Sequence, residues 1–279
     1  MWIHFALFST LLLPAALLGL RGRAGRRGSP VLLGVAFVAF VAFSSLRAVS
    51  VGNDTVEYHR VFKAIAATDS FQEALSVSRF ESGYVLVNYL VSRLTQDFNL
   101  LLLITSVFVY GSAVLFIKRY AASYSLALLF AFGMSVFYDL MLAVRQGIAV
   151  AIFLLAVPAL MERKLVRYVL LVVLASQFHV SVLLMLVVYL IPYMRLSTFG
   201  DWFKWGALIG IVMFSLSWLL TRLLVSSAYY GHYLHSDYAD GGVRSATVLL
   251  IVTRIILMLL AATCGWNAAV EADPSGRTR

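Results

Sequence analysis

The sequence predicts an all-α protein that crosses a membrane about nine times. Three observations carry that prediction. Hydrophobic residues make up 62% of the 279 and charged residues 13%, which leaves too little polar surface for a soluble chain of this length. Most of the apolar residues fall in runs close to the ~20 that a straight helical span needs. The basic residues gather in short connections: Arg21, Arg23, Arg26 and Arg27, then Lys118-Arg119, then Arg163-Lys164-Arg167. That is the charge pattern of cytoplasmic loops, so the net charge of +9 reads as membrane orientation and not as a nucleic-acid face.

The N-terminal run Trp2–Leu20 crosses inward, because the arginine cluster follows it instead of preceding it as in a cleaved signal. Pro30–Ser50 returns outward. Residues 51–97 then form an outer loop with six of the chain's 13 acids, Asp54, Glu57, Asp69, Glu73, Glu81 and Asp97. Within it, Thr55–Ala67 and Phe71–Ser78 pattern as amphipathic helices lying at the interface. Gly83–Leu94 is apolar but too short to span, and reads as re-entrant or interfacial. Phe98–Ile117 crosses inward, Tyr124–Val144 outward and Gly147–Leu160 inward again.

Val166–Ile191 reads either as one helix with His179 in mid-bilayer or as two short helices meeting at Phe178-His179. The charge rule favours two, because that keeps Arg195 and Lys204 inside. Trp205–Val225 then crosses outward, residues 226–245 form a second outer loop, and Ala246–Trp266 crosses inward. The expected organisation is one membrane domain, residues 1–270, with a short cytoplasmic tail, 271–279.

On this count every polar interruption faces outside. Asp54, Glu57 and Tyr58 share one helical face, and Asp54 either caps a surface helix or acts as general base on a hydroxyl. Glu81, Tyr84 and Asn88 also share a face, suited either to anchoring at the interface or to hydrogen bonding with sugar hydroxyls. Arg145-Gln146 places a guanidinium at the outer end of an apolar helix, where it either snorkels or grips a diphosphate. His179 and Ser181 interrupt a further apolar run, and His179 is either structural or a proton-transfer and phosphate-binding group. Late in the chain, Tyr229, Tyr230, Tyr233 and Tyr238 crowd the second outer loop beside Arg244.

The acids and histidines of that loop match no metal motif, so neither metal nor cofactor is expected. No phosphate-binding glycine loop is present either, which argues against a cytosolic nucleotide as donor. Cys264 is the single cysteine, so no disulfide forms within the chain.

The combination of Gly52-Asn53-Asp54-Thr55 with Tyr58, Glu81-Ser82-Gly83-Tyr84 with Asn88, Arg145-Gln146, Lys164, Phe178-His179-Val180-Ser181 and Tyr189 resembles the EpsG-like exopolysaccharide polymerases, relatives of Wzy-type O-antigen polymerases. The resemblance covers about half of the chain, and against that family the C-terminus looks short. It implies transfer of glycan from a polyprenyl-diphosphate carrier onto another sugar chain, at the outer face of a bacterial inner membrane. Membrane lipid, and other proteins of polysaccharide assembly, are the implied partners. Asp54 or Glu81 would be the base or acceptor-binding carboxylate, with His179 assisting. Arg145 would hold the diphosphate, with Gln146, Tyr58, Tyr84, Asn88, Ser181 and Arg244 lining the site. The acidic first outer loop also looks like the GT-C arrangement of lipid-dependent glycosyltransferases. A lipid-linked glycan transporter or flippase would use the same arginine and tyrosines for binding alone, and an O-antigen-ligase-like transferase would differ only in its acceptor.

Overall fold

The computed structural model describes residues 28–52, 54–194, 199–225 and 252. The first predicted crossing, the second outer loop with Arg244, and all of the last crossing but residue 252 lie outside the described residues. Most described elements belong to a compact unit, residues 1–223; a second unit, 224–279, holds the end of the last described helix.

The described elements are helical: α1 Pro30–Ser45, α2 Thr55–Ala66, α3 Phe71–Ser76, α4 Ser82–Ser92, α5 Phe98–Tyr120, α6 Tyr124–Gly133, α7 Val136–Leu142, α8 Val144–Met161, α9 Leu165–Ser176, a 3-10 helix Val180–Tyr193, and α10 Phe199–Val225. Two of them, α5 with 23 residues and α8 with 18, are long and apolar enough to cross a membrane. The pair α6 and α7 makes a third candidate if the bent pair is one span. Together with the apolar α1 and α9, these make the chain a membrane protein.

Local chemistry accounts for the ends. Ser29 caps α1 by accepting the Val31 N–H, with Pro30 in the first turn, where its missing N–H costs nothing. Ser123 and Asp97 cap α6 and α5 in the same way. Lys118 and Arg119 occupy the last turn of α5, where cations complement the exposed carbonyls.

The structure departs from the predicted straight span over Tyr124–Val144. The chain bends by 58° between α6 and α7, through Ser135 in the left-handed region at φ 60°. The bend is held by rings: Phe137 stacks on Phe40 at 4.6 Å, and the Tyr110 hydroxyl donates to the Phe137 carbonyl at 3.1 Å. The segment 166–191 is two elements and not one. α9 ends at Ser176, and His179 is extended at φ −158° before the 3-10 helix begins.

α8 packs against α5 and α9, α1 against α5, and the short helices α2 and α3 against α4. The main apolar core joins the loop helices to these spans through Phe62, Ile65, Tyr84, Leu101, Leu102 and Ile148. A single-cysteine protein tests the break directly. In a Cys264→Ser background, the His179→Cys protein is expected to react with a membrane-impermeant maleimide from the outer side; labelling from the cytoplasmic side alone would reject the expected outward placement.

Candidate active site

α4 begins at Ser82, and the two residues ahead of it define the centre. Glu81 occupies the N-cap position of α4, yet its carboxylate makes no cap hydrogen bond. It turns instead to Arg145, in the first turn of α8, and forms an ion pair in which the two side chains are 12% and 13% exposed. A guanidinium at a helix N-terminus is unfavourable against the helix dipole, so this position needs a carboxylate to hold it. Phe80 provides the floor, its ring centroid 4.1 Å from the guanidinium carbon, and Tyr58 lies at 6.0 Å.

The second oxygen of Glu81 faces the break after α9. The Val180 N–H donates to Oε1 at 3.3 Å, and His179 Nδ1 lies 3.8 Å from the same oxygen. Glu81 therefore ties α4, α8 and the 177–180 turn together. The same turn grips α4 a second time: the Gly83 N–H donates to the Gln177 carbonyl at 2.8 Å, and the Ser82 hydroxyl donates to Gln177 Oε1 at 2.9 Å.

Tyr58 and Tyr84 complete the wall. Their rings sit edge to face at 5.6 Å, and each also meets Phe80 at 5.6 Å. Burial pushes the Tyr58 hydroxyl up to about 12, against the pull of Arg145. Burial raises the Tyr84 hydroxyl as well, so both phenols remain neutral hydrogen-bonding groups at physiological pH. His179 is lowered from its ordinary value, chiefly by burial. Glu81 opposes that shift and Arg145 adds to it; because Arg145 already neutralises Glu81, the imidazole is neutral near pH 7 and can accept a proton.

Five of the predicted residues thus converge: Tyr58, Glu81, Tyr84, Arg145 and His179. Asn88 is fully buried one turn beyond Tyr84, with its Nδ2 on the Tyr84 carbonyl at 2.8 Å. Asp54 is exposed at the start of α2 and makes no cap hydrogen bond. The first turn of α2 is instead anchored by the Thr55 hydroxyl on the Val51 carbonyl, 2.7 Å away. Gln146 and Ser181 are exposed, and no hydrogen bond of either side chain joins the cluster. Arg244 lies outside the described residues.

Two contributors were not legible in advance. Phe80 and Gln177 each stand one or two residues from a noted motif, but aromatic and amide side chains are common at interfaces.

Among the described residues no group of three or more His, Cys, Asp or Glu side chains could hold a metal. A cavity of about 1290 Å³ lies elsewhere, between the C-terminal halves of α5 and α8 and the start of α9, rimmed by Lys118, Arg119, Lys164 and Arg167. Arg145 sits at the opposite end of α8, ~27 Å long for its 18 residues, so that cavity and this cluster are separate.

Comparison with curated proteins and with solved structures returns no match. The family model described as the EpsG family matches residues 31–269, a stretch that contains α2 through α10, all but the first residue of α1, and every residue of the cluster. The chain belongs to the EpsG family.

Proposed function

We propose that this protein is a membrane glycosyltransferase that polymerises exopolysaccharide or O-antigen repeat units, drawing on polyprenyl-diphosphate-linked glycans at the outer face of a bacterial inner membrane. EpsG membership points to an exopolysaccharide-polymerase type of role. The observation that carries the finer reading is the ion pair of Arg145 and Glu81, held over Phe80 beside His179. About nine crossings in a GT-C-like arrangement, within one membrane domain over 1–270, would put this cluster against the outer leaflet.

The chemistry follows from the side chains. A sugar hydroxyl of the acceptor attacks the anomeric carbon of the donor, the bond from that carbon to the diphosphate oxygen breaks, and the hydroxyl proton goes to a carboxylate. Asp54 suits the base role, being exposed. Both oxygens of Glu81 are occupied, so it orients Arg145 and the 177–180 turn. Arg145 stabilises the departing diphosphate through charge-assisted hydrogen bonds. Its Nε is buried and has no hydrogen-bond partner among the described residues. His179, neutral and close by, accepts or relays a proton. The exposed Gln146 and Ser181 would meet the glycan, and Tyr84 and Asn88 would line the site with them.

The test uses purified protein in liposomes supplied with polyprenyl-diphosphate-linked repeat units and no nucleotide sugar. Lengthened glycan is the expected product. Movement of the lipid-linked glycan across the bilayer without lengthening would overturn the polymerase reading in favour of a transporter.

A further inference from the structure

Arg47 stands two residues beyond α1, and it is 5% exposed. Its Nη1 donates to the Ser44 carbonyl at 2.6 Å and to the Ser44 hydroxyl at 3.1 Å. Those bonds close the last turn of α1, where a cation is welcome. They use one of the three guanidinium nitrogens. Nε and Nη2 are buried with no hydrogen-bond partner, and no ion pair joins this guanidinium to an acid among the described residues.

A buried guanidinium with only neutral acceptors is costly to maintain. End-capping of α1 does not explain two stranded donor groups. Their surroundings do point somewhere. Tyr84 lies within electrostatic reach of both Arg47 and Arg145, and Tyr58 is likewise shared by the two arginines. The Tyr84 hydroxyl and Asn88 Oδ1 are themselves buried without a hydrogen-bond partner among the described residues. Arg145 also keeps one buried donor in reserve, its Nε. The unmet donors thus belong to two cations around one tyrosine pair, and the carboxylate present, Glu81, is engaged by Arg145.

We propose that Arg47 is the second cationic arm of this site: it takes one phosphoryl group of a diphosphate while Arg145 takes the other. The proposal rests on the polymerase reading for the identity of the ligand. A diphosphate carries charge on two phosphoryl groups set one oxygen bridge apart, so a single guanidinium already paired with a carboxylate leaves it under-neutralised. Two arginines sharing Tyr58 and Tyr84 match that pattern. The arrangement selects for a diphosphate over a monophosphate headgroup, which is how the site would separate a loaded carrier from the monophosphate form.

The test measures thermal stabilisation of detergent-solubilised protein by farnesyl diphosphate and by farnesyl monophosphate. The wild-type protein is expected to prefer the diphosphate. Arg47→Met should lose that preference, with diphosphate affinity falling roughly ten- to hundredfold, and keep its monophosphate affinity. Arg145→Gln should weaken both ligands. Arg47→Met should also melt, without ligand, at or above the wild-type temperature, because it removes a buried charge that nothing offsets. Arg47→Lys, with the charge but without the planar fork, should recover only part of the preference. An Arg47→Met protein that still prefers the diphosphate, or one that unfolds easily while an Arg47→Lys protein binds as wild type does, would overturn the proposal. Absence of diphosphate binding by the wild-type protein itself would instead remove the donor reading on which the proposal stands.

Discussion

Arg145→Ala is expected to abolish glycan lengthening and to destabilise the folded protein by about 3–5 kcal/mol, the usual cost of stranding one member of a buried ion pair. The carboxylate left behind, Glu81, is 12% exposed, beside the Val180 N–H and the neutral His179, neither of which replaces the lost positive charge. Glu81→Ala should cost a similar amount by stranding the guanidinium at the N-terminus of α8, where the helix dipole opposes it. The double variant Glu81→Leu with Arg145→Met separates stability from function. Replacing a buried pair by apolar groups of similar size is often close to neutral, so the double variant should melt near the wild-type temperature and still make no polymer. The measurements are unfolding in detergent micelles and a glycan ladder from reconstituted protein. Activity near normal in Arg145→Ala would remove its diphosphate role. Recovery of activity together with stability in the double variant would make the pair a structural tie alone.

That expectation depends on residues whose types were legible in the sequence and on a geometry that was not. Charged and amide groups inside an apolar chain announce themselves, because hydrocarbon makes them expensive; Arg145 and His179 were visible on that ground, and Glu81 through the helical face it shares with Tyr84 and Asn88. Periodicity and length gave α2, α3, α4, α5 and α8 with ends within a few residues, since a 3.6-residue repeat and the ~20-residue span are both written along the chain. The partner of Arg145 could not be read in the same way. Glu81 lies 64 residues earlier, and sequence spacing sets neighbours only along one helix.

Arg47 was missed for a related reason. Its composition is that of a juxtamembrane anchor, and only burial distinguishes it from one. The bend after α6 also escaped, because Gly133-Met134-Ser135 lies inside a continuous apolar run. Hydropathy continues through it, while the left-handed φ of Ser135 and the ring cluster of Phe40, Tyr110 and Phe137 decide the turn.

Gly83→Ala should silence the site without touching any charged group. A Cβ at this position would stand 2.7 Å from the Gln177 carbonyl oxygen and 2.9 Å from the Gln177 Cβ. Real Cβ atoms do not approach backbone that closely, so α4 and the 177–180 turn must separate. Separation breaks the 2.8 Å bond from the Gly83 N–H to the Gln177 carbonyl, and it draws Glu81, two residues away, off the Val180 N–H. Overpacking of this kind costs about 1–3 kcal/mol. The loss of polymer should exceed what that destabilisation explains, because a displacement of ~1 Å at a positioned group can cost a hundredfold in rate. The Gln177→Ala protein supplies the control: it loses the Ser82 contact but keeps the backbone carbonyl, so it should retain most activity. If Gly83→Ala polymerises at the wild-type rate, the docking of α4 on the break does not position the site, and the role given to Glu81 falls with it.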